Sequence, residues 1–275
     1  MTPILETRKL NKSFGAVTAA KDLNVKIGKG EIVGVIGANG AGKTTFINMV
    51  TGYLPPTSGE ILMDGRPILG LAPRAITRSG LARSFQVAQL FPELTVLDNL
   101  VIALAAAESP HPSFLKPLHT KARVAKAEEI LGEFKVGAYR DARVTAVPQG
   151  SRKLIDIAMA MIGNPKMLLL DEPTSGVSVD EKGDLMDTVM AAVHHHGLTV
   201  LFVEHDMDVV RRYVSRILAF YSGEIIADGP PDAVLADARV RELVTGHSDH
   251  KGAEQKGADH KSAEHAAAQQ GSSVA

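Results

Sequence analysis

One stretch restricts this chain's fold more than any other. Gly37-Ala38-Asn39-Gly40-Ala41-Gly42-Lys43-Thr44 fits G-x-x-x-x-G-K-S/T without a mismatch. Before it, Glu31-Ile32-Val33-Gly34-Val35-Ile36 is short, apolar and β-branched, which reads as a buried parallel strand. After it, Thr45-Phe46-Ile47-Asn48-Met49-Val50 reads as the first turns of a helix. Strand, glycine loop, helix is the setting a phosphate-binding loop requires. Glycines let the backbone curl until its N–H groups point inward, and the helix N-terminus adds positive potential there. Lys43 would reach the β- and γ-phosphates, and the Thr44 hydroxyl would sit on Mg²⁺. A dinucleotide fingerprint fits worse, because Gly40-Ala41-Gly42-Lys43-Thr44-Thr45 lacks the last glycine of G-x-G-x-x-G.

Composition removes several other functions. The 275 residues suffice for one large domain, or for one domain carrying an inserted lobe. A net charge of -1 supplies no long-range field for nucleic acid, and 4% aromatic content without Trp gives no base-stacking platform. Cys is absent, which excludes disulfides and thiolate catalysis and suits a reducing compartment. The longest apolar run, residues 100–107, has eight residues. A bilayer span needs about 18. With Glu6, Arg8 and Lys9 following Met1, no signal-peptide core is expected, so a membrane role would come through a partner.

Residues 4–26 alternate polar and apolar, with a turn at Phe14-Gly15, and predict an antiparallel β region. Phe14 is either a turn residue packed on a neighbour or a platform for a nucleotide base. After the break at 55–59, residues 60–63 predict a strand closed by Asp64-Gly65, and residues 75–79 a short helix. Residues 81–86 predict a buried strand that delivers Gln86 to the sheet edge, where ligand sites of open α/β folds lie. From Pro92 to about Pro148 no strand pattern occurs. Thr95 is a plausible cap for a helix beginning Val96-Leu97-Asp98, and residues 121–134 are amphipathic at helical spacing, with Val124, Ile130, Leu131 and Phe134 near one face. We read this region as helices inserted into the α/β domain at about 90–160, with a Pro- and His-bearing loop at 109–117. Val147-Pro148-Gln149-Gly150-Ser151-Arg152-Lys153 opens a further helix, apolar on most sides and expected to be buried, that ends at Gly163-Asn164-Pro165.

Met167-Leu168-Leu169-Leu170 is a continuous apolar strand ending in Asp171-Glu172. Two carboxylates at a buried strand end are costly unless something positive meets them, and a Mg²⁺-nucleotide would do so. Asp171 would hold the metal through water, and Glu172 would polarise the attacking water. Residues 185–194 predict a helix, and residues 198–203 a strand that ends in Glu204-His205-Asp206. His205 is either a loop residue or a γ-phosphate contact. Consecutive residues do not share a helix face, so His194-His195-His196 is expected to be a solvated helix end rather than a metal site. Residues 217–227 carry a hairpin signal around Tyr221-Ser222-Gly223, and 230–244 a terminal helical segment. The tail at 247–275 contains three related pentads beginning at Lys251, Lys256 and Lys261. Between Val244 and Val274 it has no large apolar residue, so disorder is expected there. Its histidines 247, 250, 260 and 265 read as a solvated tail rather than a metal site.

Phosphate loop, Gln at a strand end, helical insertion, glycine-bearing helix start, acidic strand end and final His form one ordered series. It resembles the ATP-binding subunit of ABC transporters across 4–246. Leu81-Ala82-Arg83-Ser84-Phe85-Gln86, Thr95-Val96-Leu97-Asp98-Asn99-Leu100 and Glu204-His205-Asp206-Met207 make it most like ATPases of branched-chain amino acid-type importers. The resemblance implies an α/β P-loop NTPase core with a mostly parallel sheet, an N-terminal antiparallel β region and an inserted helical subdomain. It implies that Gly37, Ala38, Asn39, Gly40, Ala41, Gly42, Lys43, Thr44 and Thr45 form the Walker A loop. Asp171 would be the Walker B aspartate and Glu172 the catalytic base. Gln86 would touch Mg²⁺ and the attacking water and sense the membrane partner. His205 would be the switch histidine, residues 175–180 the D-loop, and Phe14 the adenine-stacking residue. ATP and Mg²⁺ are the implied ligands. The implied partners are integral membrane permeases, a second ATPase subunit (identical or homologous) and, indirectly, an external solute-binding protein, with no nucleic acid. The implied place is the cytoplasmic face of the inner membrane.

One motif departs. The family signature is usually Leu-Ser-Gly-Gly-Gln, and here Val147-Pro148-Gln149-Gly150-Ser151 stands instead. Gly150 still permits close approach to phosphate, and Ser151 offers a hydroxyl near the helix N-terminus. Losing the usual serine's charge-assisted hydrogen bond should cost about 1.5–3 kcal/mol if nothing replaces it. The expected working unit is a head-to-tail sandwich, with ATP between Walker A of one chain and Gly150-Ser151 of the other. The rivals are a soluble ABC-type ATPase of ribosomes or DNA repair, a small P-loop kinase, and a regulatory module without catalysis. The single cassette, the lack of heptads and of a basic stripe, and the Gln86, Gly150, Glu172 and His205 series weigh against them.

Overall fold

In the computed structural model, residues 2–108, 117–244 and 246 are described. The tail at 247–275 with its pentads and histidines, and all of the 109–117 loop except Pro117, lie outside them.

Strands β1 (Leu5–Phe14) and β2 (Val17–Ile27) pair antiparallel, joined by a turn in which Gly15 adopts φ 56. The apolar strand β3 (Ile32–Ile36) leads through the glycine loop into α1 (Lys43–Val50). Next come β4 (Ser58–Met63), β5 (Arg66–Pro67), α2 (Pro73–Arg78) and β6 (Leu81–Ser84). Helices α3 (Val96–Glu108), α4 (Lys121–Glu133) and α5 (Gln149–Met161) follow, with two short 3-10 turns at Gly137–Tyr139 and Val144–Ala146. Strand β7 (Met167–Asp171), α6 (Val179–His195), β8 (Thr199–Val203), α7 (Met207–Tyr213), β9 (Arg216–Tyr221), β10 (Glu224–Gly229), α8 (Pro231–Ala236) and α9 (Ala238–Leu243) complete the described chain.

These strands form two sheets. A four-stranded antiparallel sheet runs β2-β1-β4-β5, and a six-stranded sheet runs β10-β9-β3-β8-β7-β6. In the larger sheet β9, β3, β8, β7 and β6 are parallel and only the edge strand β10 is antiparallel. Its central strands are apolar on both faces, because each face is covered. Val33, Leu169, Leu201 and Leu218 point into a core closed by α1 and the antiparallel sheet. Ile36, Leu168, Leu170, Val200 and Phe202 point into a second core closed by the helices between β6 and β7 and by α6 and α7. Between β6 and β7 the described residues hold helices, 3-10 turns and one isolated bridge, Thr95 to Arg143, but no strand.

Three expectations shift. Strand β6 stops at Ser84, so Gln86 lies two residues beyond the strand rather than at its end. Helix α6 begins at Val179, six residues before the predicted start, because Asp180 and Glu181 place negative charge in its first turn. The terminal helical segment is two helices, separated where Asp237 caps α9 by accepting from Arg239 N–H and Val240 N–H.

Candidate functional site

The order of parallel strands determines which motifs meet. Across the edge formed by their C-terminal ends, β3 delivers Gly37, β8 delivers His205, β7 delivers Asp171 and Glu172, and β6 leads to Gln86.

The phosphate loop is built for close approach by a backbone ligand. Gly42 is the N-cap of α1 with φ 105, and no side chain caps the helix. A Cβ on Gly42 would lie 2.6 Å from the Ala19 carbonyl, so only glycine fits. As in any helix, the first N–H groups, here those of Lys43, Thr44 and Thr45, have no intrahelical acceptor. Lys43 is buried and its amine donates to the carbonyls of Gly37 at 2.5 Å and Ala38 at 3.0 Å. Burial lowers the Lys43 pKa, while the charges of Glu172 and Asp171 oppose that shift. Thr44 is exposed.

Glu172 is the meeting point. It has φ 49, a left-handed conformation that costs a non-glycine residue of the order of 1–3 kcal/mol. Its backbone is pinned by N–H donation to the Val203 carbonyl at 3.0 Å. Its carboxylate is shared: Gln86 Nε2 donates to Oε2 at 2.8 Å, and His205 Nε2 lies 3.0 Å from Oε1. Three residues separated by up to 119 positions in sequence thus form one hydrogen-bonded group.

Asp171 has a partner that the sequence reading missed. Arg83 donates to its Oδ2 at 2.6 Å, and both side chains are almost fully buried. The same guanidinium donates to Asn48 Oδ1 at 2.7 Å, tying α1 to β7. The positive group that meets Asp171 is therefore the protein's own arginine, before any metal arrives. Two more missed residues lie in α5. Lys153 donates to the carbonyls of Gln86 and Glu172. Asp156 accepts from Ser84 Oγ at 2.7 Å, Phe85 N–H at 3.2 Å and Gln89 N–H at 2.8 Å. Burial pulls the Lys153 pKa down and pushes that of Asp156 up. Glu204 is also buried, and it accepts from Thr174 N–H at 3.0 Å and Thr174 Oγ1 at 2.7 Å, holding the loop after Glu172. The available signal was charge inside an apolar helix: Lys153 and Asp156 are spaced i,i+3 and so share a face.

The remaining candidates lie apart from this group. Phe14 is half-exposed at the hairpin tip, with the Lys12 ammonium 4.9 Å from its ring centroid. Gly150 and Ser151 start α5, and Gly150 lies against Val177 in the loop beyond Glu172. His194, His195 and His196 are exposed at the end of α6, as expected, and His195 and His196 both converge on Glu133.

Comparison with known proteins gives a single answer. Residues 20–175 match the ABC transporter family. The chain is 34% identical over 251 residues to the probable branched-chain amino acid transport ATP-binding protein LivG of Methanocaldococcus jannaschii, covering 88% of this chain and 97% of the relative. It is 33% identical over 254 residues to the high-affinity branched-chain amino acid transport ATP-binding protein BraF of Pseudomonas aeruginosa, covering 90% and 99%. Among solved structures it is similar to the ADP conformation of MJ1267, an ATP-binding cassette of an ABC transporter, with a TM-score of 0.78, 32% identity and coverage of 88% and 98%. It is also similar to a dimeric post-hydrolysis state of the cassette MJ0796 bound to ADP and Pi, with a TM-score of 0.71, 25% identity and coverage of 82% and 98%.

Proposed function

Because the chain belongs to the ABC transporter family, as its ATP-binding and ATP-hydrolysing subunit, we propose that it drives import of branched-chain amino acids or related small carboxylates through membrane permeases. The observation that carries this reading is the Gln86–Glu172–His205 group, assembled beside the Lys43 loop.

The α1 N-terminus and Lys43 would grip the β- and γ-phosphates of ATP, for which the lysine must exchange its two carbonyl acceptors for phosphate oxygens. Phe14 would stack on the adenine. Mg²⁺, when bound, neutralises charge on the phosphates, and the oxygens of Thr44, Gln86 and Asp171 are hard donors suited to hold it. Gln86 and His205 fix the Glu172 carboxylate from two sides. Glu172 would draw a proton from water as that water attacks the γ-phosphorus, and the bond to the bridging oxygen breaks to release ADP and phosphate.

Gly150 and Ser151 would complete the site of a second ATPase subunit, either a copy or a homologue, in a head-to-tail sandwich. The division we propose is an ATPase domain over 1–246, with a helical lobe inserted at about 90–160. A cleft of about 600 Å³ opens between α2, α3 and the segment after β6, lined in part by Tyr53, Ile76, Phe85, Ala103 and Met159. A permease segment seated there would touch Phe85, the residue before Gln86. No described helix is long and apolar enough to cross a membrane, so the permease would hold the chain peripherally at the cytoplasmic face. An external solute-binding protein would act on it only through that permease. The soluble alternative is not favoured, since the transport ATPases match over almost their full length.

Glu172→Gln should bind ATP, scarcely hydrolyse it, and accumulate as a dimer in size-exclusion chromatography. Normal turnover would remove Glu172 from its role. Co-expression with permeases from neighbouring genes should give ATP-dependent uptake of leucine, isoleucine or valine. Uptake of a different small solute alone would overturn the substrate class and leave the ATPase assignment standing.

A further inference from the structure

The strongest unassigned cluster lies at the other end of the molecule from the phosphates. Glu133 is the last residue of α4, His195 the last of α6 and His196 its C-cap. Although 62 and 63 residues from Glu133 in sequence, the two histidines meet it: His195 Nδ1 and His196 Nε2 each lie 3.0 Å from Glu133 Oε1. The two rings stand 4.8 Å apart between centroids. Among the described residues, this is the one group of three potential metal-ligating side chains whose ligand atoms all lie within 4.8 Å of one another.

Adjacent helical residues point about 100° apart, since 3.6 residues make a turn. The helix end resolves this difficulty. Gly197 at φ 61 turns the chain out of α6, with Gly197 N–H donating to the His194 carbonyl and Leu198 N–H to the Val193 carbonyl. Glu133 then sits in the angle between the rings. The convergence works because one ring presents its nearer nitrogen and the other its farther one. An ionised carboxylate only accepts, so each ring must donate N–H to the same oxygen. Three donor atoms of this kind, two imidazole nitrogens and one carboxylate oxygen, are a ligand set for a borderline divalent ion, and nitrogen donors disfavour Mg²⁺ and Ca²⁺. The histidine side chains are 75% and 39% exposed, which leaves room for water as a fourth ligand.

We propose that Glu133, His195 and His196 form a surface site for Zn²⁺ or a similar transition ion, which clips α4 of the helical insertion to the end of α6. Metal binding needs the lone pair of each inward nitrogen, so each neutral ring then carries its single N–H on the outer nitrogen. The site lies at the N-terminal edge of the large sheet, because α6 ends where β8 begins, whereas His205 follows the other end of β8. Five strand residues, roughly 17 Å, separate the two ends. The ion therefore holds the insertion without touching the nucleotide.

The test uses the full chain, stripped of metal and titrated with Zn²⁺ against a chromophoric chelator, beside Glu133→Gln and His195→Asn. Every other histidine, including 194, 205 and the four of the tail, is present in all three proteins, so their contribution cancels. The parent should bind one more equivalent than either variant, or bind that equivalent at least tenfold more tightly. Co²⁺ should give tetrahedral d–d bands in the parent that both variants lose. Zn²⁺ should raise the unfolding temperature of the parent more than that of the variants, while the metal-free proteins unfold alike. Equal stoichiometry and affinity in all three would overturn the site.

Discussion

Single residues around the catalytic group act through backbone as much as through side chain. Lys153 is the clearest case: one buried ammonium holds the carbonyls of both Gln86 and Glu172, so it sets the distance between two residues that would share a water in the proposed mechanism. Lys153→Met keeps the volume and removes both bonds. We expect kcat for ATP hydrolysis to fall about a hundredfold, the scale of a misplacement of about 1 Å, with KM for ATP changed far less. Steady-state kinetics on folded protein, with Lys153→Arg partly restoring the rate, would check this. A parallel loss in KM would mean that Lys153 serves nucleotide binding instead. The loop ahead of α1 was legible because glycine, lysine and threonine at fixed spacing leave little else to build. Arg83, Lys153, Asp156 and Glu204 were not, because their roles come from pairings across long separations. Only the fold shows that Asp156 lies beside Ser84 and Phe85.

Elements were read best where both faces are covered. Strands β3, β7, β8 and β9 are runs of apolar, often β-branched residues that fit nothing but a buried strand. The N-terminus of α6 was missed because residues 178–184 are mostly polar and contain Gly183. Its signal was Ser178-x-x-Glu181, whose side chains do bond, with Ser178 Oγ donating to Glu181 at 2.7 Å. Ser178 Oγ accepts no backbone N–H of α6, whereas the full capping box starts α3. Thr95 Oγ1 accepts from Asp98 N–H at 3.0 Å and donates to the Asp98 carboxylate at 2.6 Å. Thr95→Ala should cost about 1 kcal/mol, read as a lowered urea midpoint. The hydrogen bond from Thr95, with a smaller contribution from His119, holds the Asp98 carboxyl below its ordinary 3.8. A depressed carboxylate pKa stabilises the fold above the unfolded value and loses that effect as pH falls through the folded one. The parent's advantage over Thr95→Ala should therefore shrink below about pH 4 and hold at neutral pH.

At the scale of the whole molecule, the proposed head-to-tail pairing would give one chain two half-sites. The phosphate loop leaves β3, whereas Gly150 starts α5 against Val177, so ATP hydrolysis should need two chains. Pro148, exposed at the N-cap of α5, offers no hydroxyl to phosphate and no side-chain cap. Pro148→Ser should supply both and raise the ATPase rate of the assembled dimer. An unchanged or lower rate would mean that Ser151 or the backbone already fills that role. The overall plan, with a two-sided core and a helical insertion, was legible in the order of motifs. The convergence of Glu133 with His195 and His196 was not, since a helix wheel separates neighbours that a helix end reunites.

The strand order β3-β8-β7-β6 has one more result. Gln86 and His205 reach Glu172 from opposite flanks, one from the β6 side and the other from the β8 side. Withdrawing either leaves the carboxylate free to swing. The arrangement works as a clamp with two jaws, and in the proposed transporter one would answer to the permease and the other to the nucleotide.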